Sequence, residues 1–508
     1  MKFVKSTQAI PAIAQIAAFM SPSKLDIRDE SSIKGVARTI AADTMSYYPG
    51  TDQVFADLPQ PYYWWQCGAL MGAMLDYSHY TQDPTYDRKL ATALLAQAGP
   101  NFDYMLPKHF GDEGNDDQAF WGFAVMSAAE RNFPQPDASI PSWLEMSQNL
   151  WNSLSSRWDT SACGGGLFWQ IFPSNPNGMD YKNSVSNGGL FQLSARLARA
   201  TGNQTYVDWA RKVWDWTQGV GMIDRDFNVL DGAGASENCS VINGVSFSYS
   251  TGIYLYGAAV LANVTGDSIW VDRVEKLLEA SRSFFSPFEN STNVMYEHAC
   301  ETVDKCNADM LSFKGYFSRF AYASTLMVPS ILPTVTELFH FNAEMAAKSC
   351  SGGEKGTTCG EKWYVGGYDG NTGLGQEMCA LETIQGLLVA QSTPPFQKEQ
   401  IKVVREFNST AAPAPAVPSA PAAPPASAST TATSKANKRS NSGASLGVDA
   451  RWAVLSGLTG LYIWDVALAS MPDITMFVQK QDTDRYTSDT HEQKAHRATL
   501  RVPGYETY

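Results

Sequence analysis

Positive charge and histidine are both scarce in this 508-residue chain. Its 38 Lys and Arg face 51 Asp and Glu, which gives a formal net charge of −13. An acidic chain repels phosphate backbones, so we do not expect nucleic acid as a partner. With six His and no Cys-x-x-Cys pair, the sequence predicts no zinc site, and it predicts no other metal or cofactor. It also lacks the dense acidic loop of a Ca²⁺-dependent lectin.

An apolar run near the C-terminus, WAVLSGLTGLYIW at 452–464, is too short for an ordinary membrane-spanning helix. Together with the small residues at 441–443 it is similar to a glycosylphosphatidylinositol (GPI) attachment signal, so we treat 452–471 as a candidate signal. Such a signal ends a chain, whereas a polar tail continues here over 472–508 and is predicted to be disordered. An anchored and an unanchored chain are both compatible with this sequence.

Residues that could form a core are almost absent from 406–451. This segment consists mainly of Pro, Ala, Ser and Thr, which is typical of a disordered stalk. The 24–405 region is different, because apolar residues recur there at helical spacing. We therefore predict one large domain at 24–405 and a stalk behind it.

The N-terminus and the sequons indicate secretion. Lys2 and Lys5 precede a mostly apolar run and then small residues, so we predict a signal peptide over 1–23. Asn-x-Ser/Thr sequons are the acceptor sites of secreted glycoproteins. The chain has five of them, at Asn203, Asn238, Asn263, Asn290 and Asn408.

Eight cysteines also favour an oxidising compartment. Cys300 and Cys306 are close in sequence, as are Cys350 and Cys359, and we predict that each pair closes a small loop. The pairing of the other four stays open at this point; they are Cys67, Cys163, Cys239 and Cys379.

A helical hairpin recurs along the 24–405 region. NGGLFQLSARLARATGNQTYVDWARKVWDWTQG, from Asn187, has a helix with small residues, a Thr-Gly turn, and then an amphipathic helix. Twelve such helices make six hairpins and predict an all-α toroid, with an open solenoid as the alternative. A bond between Cys67 and Cys379 would favour closure. The predicted helices begin near Ser31, Tyr62, Tyr86, Asp116, Pro141, Asn183, Tyr206, Ser246, Ser268, Lys314, Ile331 and Gln376.

Two adjacent carboxylates, Asp116 and Asp117, open one inner helix in GNDDQAFWG. A single Asp here could simply cap the helix. Two together repel each other, so one would hold a proton near neutral pH, which suits a glycosidase with one ionised and one protonated carboxyl. Adjacency favours the short carboxyl separation of a retaining enzyme, about 5–5.5 Å. Asp57, Asp224 and Asp226 are competing carboxylates.

Several segments together resemble glycoside hydrolase family 76. They are GNDDQAFWGFAVMSAAE, CGGGLFWQ, YKNSVSNGGLFQLSARLARATGN, SYSTGIYLYGAAVLANVTGD and FKGYFSRF. The resemblance covers about residues 25–400 and is closer to the fungal DFG5/DCW1-like branch of mannan endo-1,6-α-mannosidases. It implies an (α/α)6 barrel and a retaining reaction on α-1,6-linked mannose, with Asp116 as nucleophile and Asp117 as acid/base.

The resemblance also implies partners and sugar contacts. The donor would be mannan or the GPI-core glycan, at the cell surface or in the cell wall. The sequence leaves open whether the acceptor is water, which gives hydrolysis, or a sugar hydroxyl such as one of β-1,3-glucan, which gives transglycosylation. Implied sugar contacts are Trp65, Trp121, Asn187, Tyr249 and Lys314. To these we add Asn115, next to the aspartate pair, and Trp169, in a Gly-rich loop.

A second class of function stays open from the sequence. An inactive barrel could serve as a mannan-binding wall protein, with its aromatic rings stacked on sugars. The intact Asp116–Asp117 pair favours an enzyme, because a binding protein has no need of both carboxylates.

Overall fold

The computed structural model describes residues 18–111, 113–174 and 178–407. Most of the predicted signal peptide lies outside these ranges. The stalk beyond Phe407, the apolar segment, the polar tail and the sequon at Asn408 lie outside them too. Within these ranges no helix is long and apolar enough to cross a membrane.

Twelve α-helices make up most of the described chain. They are α1 Glu30–Ser46, α2 Trp64–Thr81, α3 Asp87–Ala96, α4 Asn115–Glu130, α5 Trp143–Ser156, α6 Ser184–Thr201, α7 Gln204–Val220, α8 Ser248–Thr265, α9 Ser268–Ala280, α10 Phe313–Met327, α11 Leu332–Ser349 and α12 Leu374–Gln385. Each begins within two residues of its predicted start, which confirms the helical pattern read from the sequence.

The even-numbered helices form a closed inner ring. Each contacts the next even-numbered helix along the chain, and α12 contacts α2, so the structure is an (α/α)6 barrel rather than an open solenoid. The odd-numbered helices pack outside this ring. Glycines allow the inner backbones to approach: a Cβ on Gly252 would lie 2.9 Å from the Cα of Phe317, and one on Gly315 would lie 3.1 Å from the Cα of Cys379.

Burial differs between the two rings as the sequence pattern predicts. Inner helix α6 is buried at every position from Ser184 to Ala200. Its outer partner α7 buries a single stripe at helical spacing and leaves the rest to solvent. That stripe consists of Tyr206, Val207, Ala210, Val213, Trp214 and Thr217.

Buried ion pairs close one end of the barrel. Arg319 binds Asp76 at 2.8 Å and Arg196 binds Glu130 at 2.7 Å; Asp76, Glu130 and Arg196 lie in the C-terminal halves of inner helices and Arg319 lies at the middle of α10. Contacts between these positions mean that the inner helices run parallel, so their N-termini share the opposite rim. Segment 393–407 runs along the closed end, where the Nη1 of Arg199 donates to a backbone carbonyl of this segment at 2.7 Å.

A three-stranded antiparallel sheet on the N-terminal rim was not predicted from the sequence. Its strands are β1 Tyr181–Asn183, β2 Leu230–Gly234 and β3 Ile242–Ser246, in the order β1-β2-β3. The Cys163–Cys239 disulfide ties the Gly-rich loop before β1 to the β2–β3 hairpin. Strands of three to five residues carry too little periodicity to be recognised.

Three disulfides are present in the described chain. Cys300–Cys306 and Cys350–Cys359 are bonded, as the spacing predicts, and Cys163–Cys239 is the third. Cys67 and Cys379 are buried free thiols. Closure of the ring therefore rests on packing of α12 against α2, without the disulfide considered for it.

Thiol titration checks this pairing. We expect two free thiols in the denatured, unreduced protein and eight after reduction. Reduction should lower the free energy of unfolding, chiefly through the Cys163–Cys239 loop of 76 residues, for which loop entropy gives about 4 kcal/mol. A count of eight thiols before reduction would contradict the assignment.

Candidate active site

Asp116 and Asp117 lie in the first turn of α4, on the rim formed by the N-termini of the inner helices. Both side chains are partly exposed, unlike the rest of that helix. The preceding loop is fixed, because the backbone N–H of Asn115 donates to the carbonyl of Trp169 at 2.8 Å and Gly114 forms a β-bridge with Gln170. The pair therefore stands on a rigid support at the open end of the barrel.

The two carboxyls have different hydrogen-bond environments. Asp117 accepts one bond, from the backbone N–H of Gly114 at 2.6 Å, and so caps its own helix. Asp116 accepts from the Nδ2 of Asn183 at 2.8 Å through one oxygen and from the backbone N–H of Asp117 at 3.0 Å through the other. Asp116 is thus the better stabilised anion.

Asn183 presents its NH₂ group to Asp116 in a fixed orientation. Its Oδ1 accepts from the backbone N–H of Ser186 at 3.0 Å and caps α6. A flipped amide would lose that cap and set two oxygens against each other, so Nδ2 must face Asp116. Asn183 lies at the end of β1, whose neighbour Lys182 is fully buried and donates to the carbonyl of Gly165 at 2.7 Å.

Electrostatics separate the two aspartates further. Burial raises the pKa of Asp116 to about 6, against the lowering effect of its hydrogen bonds, the one from Asn183 first. Burial also raises the pKa of Asp117 well above its usual value, and the charge of Asp116 raises it more. Near neutral pH the pair therefore carries one charge, on Asp116, while Asp117 keeps its proton.

Two further carboxylates, Asp231 and Asp309, act on the pair, and sequence reasoning missed both. Asp231, on β2, accepts from the Oη of Tyr181 at 2.7 Å and from Asn243 at 3.0 Å. Asp309 precedes α10, and burial raises its pKa to about 7. The side chain of Trp65 lowers this pKa, whereas the charge of Asp116 raises it. Neither carries a local signal, because Asp231 depends on the unpredicted sheet and Asp309 on loop packing.

Of the predicted sugar contacts, Tyr249 and Trp169 remain partly exposed. The ring of Tyr249 stacks on Phe313 with centroids 3.7 Å apart. Burial, and after it the charges of Asp231 and Asp116, raise the pKa of Tyr249 well above its usual value. These two aromatic residues are therefore available at the catalytic rim.

The structure does not support direct sugar contact for four predicted residues, because they are buried and engaged with the protein. Trp121 is fully buried between Trp64 and Tyr104 at centroid distances of 5.5 and 5.7 Å.

The other three of these residues are polar, and each is buried with a partner in the protein. Asn187 exchanges hydrogen bonds with the backbone of Leu167. Lys314 forms a 2.6 Å ion pair with Glu301. Asn115 donates to the carbonyl of Phe168.

Trp65 has an intermediate position. It is nearly buried, the centroid of its ring lies 4.6 Å from that of Phe120, and its side chain lowers the pKa of Asp309. Trp65 therefore acts on the site through Asp309.

The competing carboxylates lie in other surroundings. Asp224 accepts from the backbone N–H groups of Asp226 and Asn228 and forms the turn after α7. Asp57 forms an exposed ion pair with Lys108 at 3.0 Å. Among the residues that the structure describes, no group of three or more His, Cys, Asp or Glu is arranged to hold a metal ion.

Replacing Asn183 by Ser tests whether this residue tunes Asp116. Serine keeps the α6 cap but is too short to reach Asp116, so stability should change little. Loss of a hydrogen bond to a charged group should lower kcat/KM about 10- to 100-fold. Because Asp116 then ionises less readily, the acid limb of the kcat/KM–pH profile should move to higher pH. An unchanged limb would show that Asn183 only caps the helix.

Residues 32–399 match the family described as Glycosyl hydrolase family 76. Over 380 residues the chain is 44% identical to "Mannan endo-1,6-alpha-mannosidase DCW1" of Candida glabrata, which covers 73% of this chain and 83% of that protein. The crystal structure of Dfg5 from Chaetomium thermophilum in complex with glucosamine has a TM-score of 0.71 at 39% identity, covering 75% of this chain and 95% of that one.

A more distant structure has the same fold. It is an inactive variant of the alpha-1,6-mannanase of Salegentibacter sp. HEL1_6, with two Asp changed to Asn, in complex with alpha-1,6-mannotriose. Its TM-score is 0.56 at 19% identity, and the match covers 70% of this chain and 98% of that one.

Proposed function

Because this chain belongs to glycosyl hydrolase family 76, we propose that it is a retaining endo-acting α-1,6-mannosidase with Asp116 as nucleophile and Asp117 as acid/base. The observation that carries this proposal is the split environment of the pair: Asp116 accepts two hydrogen bonds as an anion, and Asp117 holds a proton. The mannan endo-1,6-alpha-mannosidase relative supports the substrate class.

The first step breaks the α-1,6 bond. A carboxylate oxygen of Asp116 attacks the anomeric carbon of the mannose, while Asp117 gives its proton to the departing glycosidic oxygen. A mannosyl–Asp116 ester forms and the freed sugar leaves as an alcohol. Asp117 is now ionised, and its raised pKa suits the task of taking a proton back.

The second step decides between hydrolysis and transfer. Asp117 removes a proton from water or from a sugar hydroxyl, and that oxygen attacks the anomeric carbon and releases Asp116. We propose transfer as the physiological outcome: mannose of a GPI core is the donor and β-1,3-glucan of the cell wall is the acceptor. The resemblance of this chain to the fungal DFG5/DCW1-like branch is what supports this assignment.

The cell surface is the proposed location. Three disulfides are consistent with the secretory pathway. The asparagines of four predicted sequons, Asn203, Asn238, Asn263 and Asn290, are exposed, as glycosylation requires. A GPI anchor at the candidate signal would hold the enzyme at the membrane; this part of the proposal rests on the sequence pattern alone.

Product analysis tests the transfer proposal. The secreted domain is incubated with a defined α-1,6-mannoside, with and without a β-1,3-glucan oligosaccharide, beside Asp116→Asn. A donor–acceptor adduct in mass spectra, made by the wild type and not by the variant, is the expected result. Free mannosides alone would make the protein a hydrolase. Binding without any product would favour an inactive mannan-binding wall protein.

A further inference from the structure

The loop at 285–295, between α9 and α10 on the catalytic rim, combines a sequon with an exposed aromatic ring. An antiparallel bridge between Phe285 and Met295 joins its two arms. Its tip reads Phe-Glu-Asn-Ser-Thr over 288–292, so that Asn290 is a sequon asparagine and Phe288 precedes it by two positions.

A tight turn brings these two residues together at the surface. The backbone N–H of Ser291 donates to the carbonyl of Phe288 at 2.9 Å, which closes the turn over 288–291. Asn290 is exposed, and the Oγ of Ser291 donates to its Oδ1 at 3.3 Å. Its Nδ2, the atom that carries a glycan, donates no hydrogen bond to any residue that the structure describes.

The ring of Phe288 is largely open to solvent. It is 49% exposed, although a large apolar side chain gains free energy from burial. Tyr364 contacts the ring edge-to-face, with centroids 5.5 Å apart, and so supports it without covering it. An exposed ring held in place by a second ring is a ready surface for the apolar face of a sugar.

We propose that Asn290 carries an N-linked glycan and that its first N-acetylglucosamine packs on the ring of Phe288. The sugar is bonded to Nδ2 of a residue in the same turn, so it reaches the ring without ordering a distant segment. Packing removes the C–H face of the sugar and the exposed ring from water together. The glycan thereby stabilises the 285–295 loop on the catalytic rim.

The other sequons of the described chain offer no such ring. The residues two positions before Asn203 and Asn238 are Thr201 and Ser236. Asn263 is preceded at that spacing by Leu261, which is fully buried inside α8. The sequon at Asn203 is therefore a matched control, and Thr205→Ala removes it while keeping Asn203 as the cap of α7.

The test uses the full chain secreted from a yeast host, with sequon occupancy read by mass spectrometry. Wild type, Phe288→Ala, Asn290→Gln and the double variant are compared by Tm and by hydrogen exchange of the 285–295 amides. Phe288→Ala should lower Tm by about 1–3 °C and speed exchange in this loop when Asn290 is glycosylated. It should change neither in the Asn290→Gln background.

Two controls sharpen the result. Trimming the native glycans with endoglycosidase H leaves one N-acetylglucosamine on Asn290 and should keep the wild-type Tm and exchange. Thr205→Ala should leave exchange at 285–295 unchanged.

An unoccupied Asn290 beside occupied sequons would overturn the proposal, as would an equal effect of Phe288→Ala with and without the glycan. If no sequon is occupied, the proposed passage through the secretory pathway fails as well.

Discussion

Replacing Asp116 by Asn is expected to lower the turnover of an α-1,6-mannoside by about 10⁴-fold or more, because the amide cannot form the glycosyl ester. The change is nearly isosteric. Of the two donors, the Nδ2 of Asn183 and the backbone N–H of Asp117, one keeps the amide oxygen as its acceptor and the other loses its partner. Binding of mannosides, measured by calorimetry, should therefore persist while turnover is lost.

A small external nucleophile identifies the missing group. In Asp116→Ala the removed carboxylate leaves space, and azide can attack the anomeric carbon from the same side while Asp117 protonates the departing oxygen. The expected product is a β-mannosyl azide, of opposite configuration to the α-linked substrate. Asp226→Asn, in an exposed turn, is the control and should leave activity unchanged. Full activity of Asp116→Asn would contradict the nucleophile assignment.

Replacing Asp117 by Asn is expected to have an effect that depends on the leaving group. In natural mannosides the departing sugar is a poor leaving group and needs a proton from Asp117, so turnover of these substrates should fall by about 10²–10⁴-fold. Activated aryl mannosides need little acid assistance, so their first step should be nearly preserved and the ester on Asp116 should accumulate. Equal losses for both substrates would contradict the acid role.

The pH profile gives a second readout for Asp117. Its pKa is raised by burial and by the charge of Asp116, so wild-type kcat/KM should fall as pH rises through that raised value. Asn does not titrate, and the alkaline limb should disappear in the variant. The acid limb should remain, because Asp116, whose pKa is raised to about 6, must still be ionised to attack the anomeric carbon.

The helical elements were predictable because their signals are local. Residues spaced three and four apart share a helix face, so the pattern in the 24–405 region reports each helix without knowledge of its neighbours. Small residues among apolar ones distinguished the inner helices from the amphipathic outer ones. The sheet β1–β3 was not predicted, because its strands are short and pair residues as distant in sequence as Lys182 and Ala233.

Some of the site residues were predictable from the sequence and others were not. The aspartate pair is visible in sequence because two like charges at one helix start are unusual and carry their chemistry with them. The sugar contacts were less predictable, because an inner helix is buried on all sides. Sequence spacing alone does not distinguish an aromatic ring exposed at the N-terminal rim from one packed between helices. Trp121 is fully buried, whereas Tyr249 lies in the first turn of α8 and is partly exposed.

By itself the sequence determined the helix positions, the family and two local disulfides, and it singled out the aspartate pair that we propose as catalytic, because each of these depends on residues close together in the chain or on an ordered set of segments. Only the tertiary structure decided what surrounds the pair. Asn183 on β1 donates to Asp116, and the charges of Asp231 on β2 and Asp309 before α10 raise the pKa values of the pair. The pKa values of the pair depend on burial and on charges within a few ångströms, and those distances exist only once the barrel has closed.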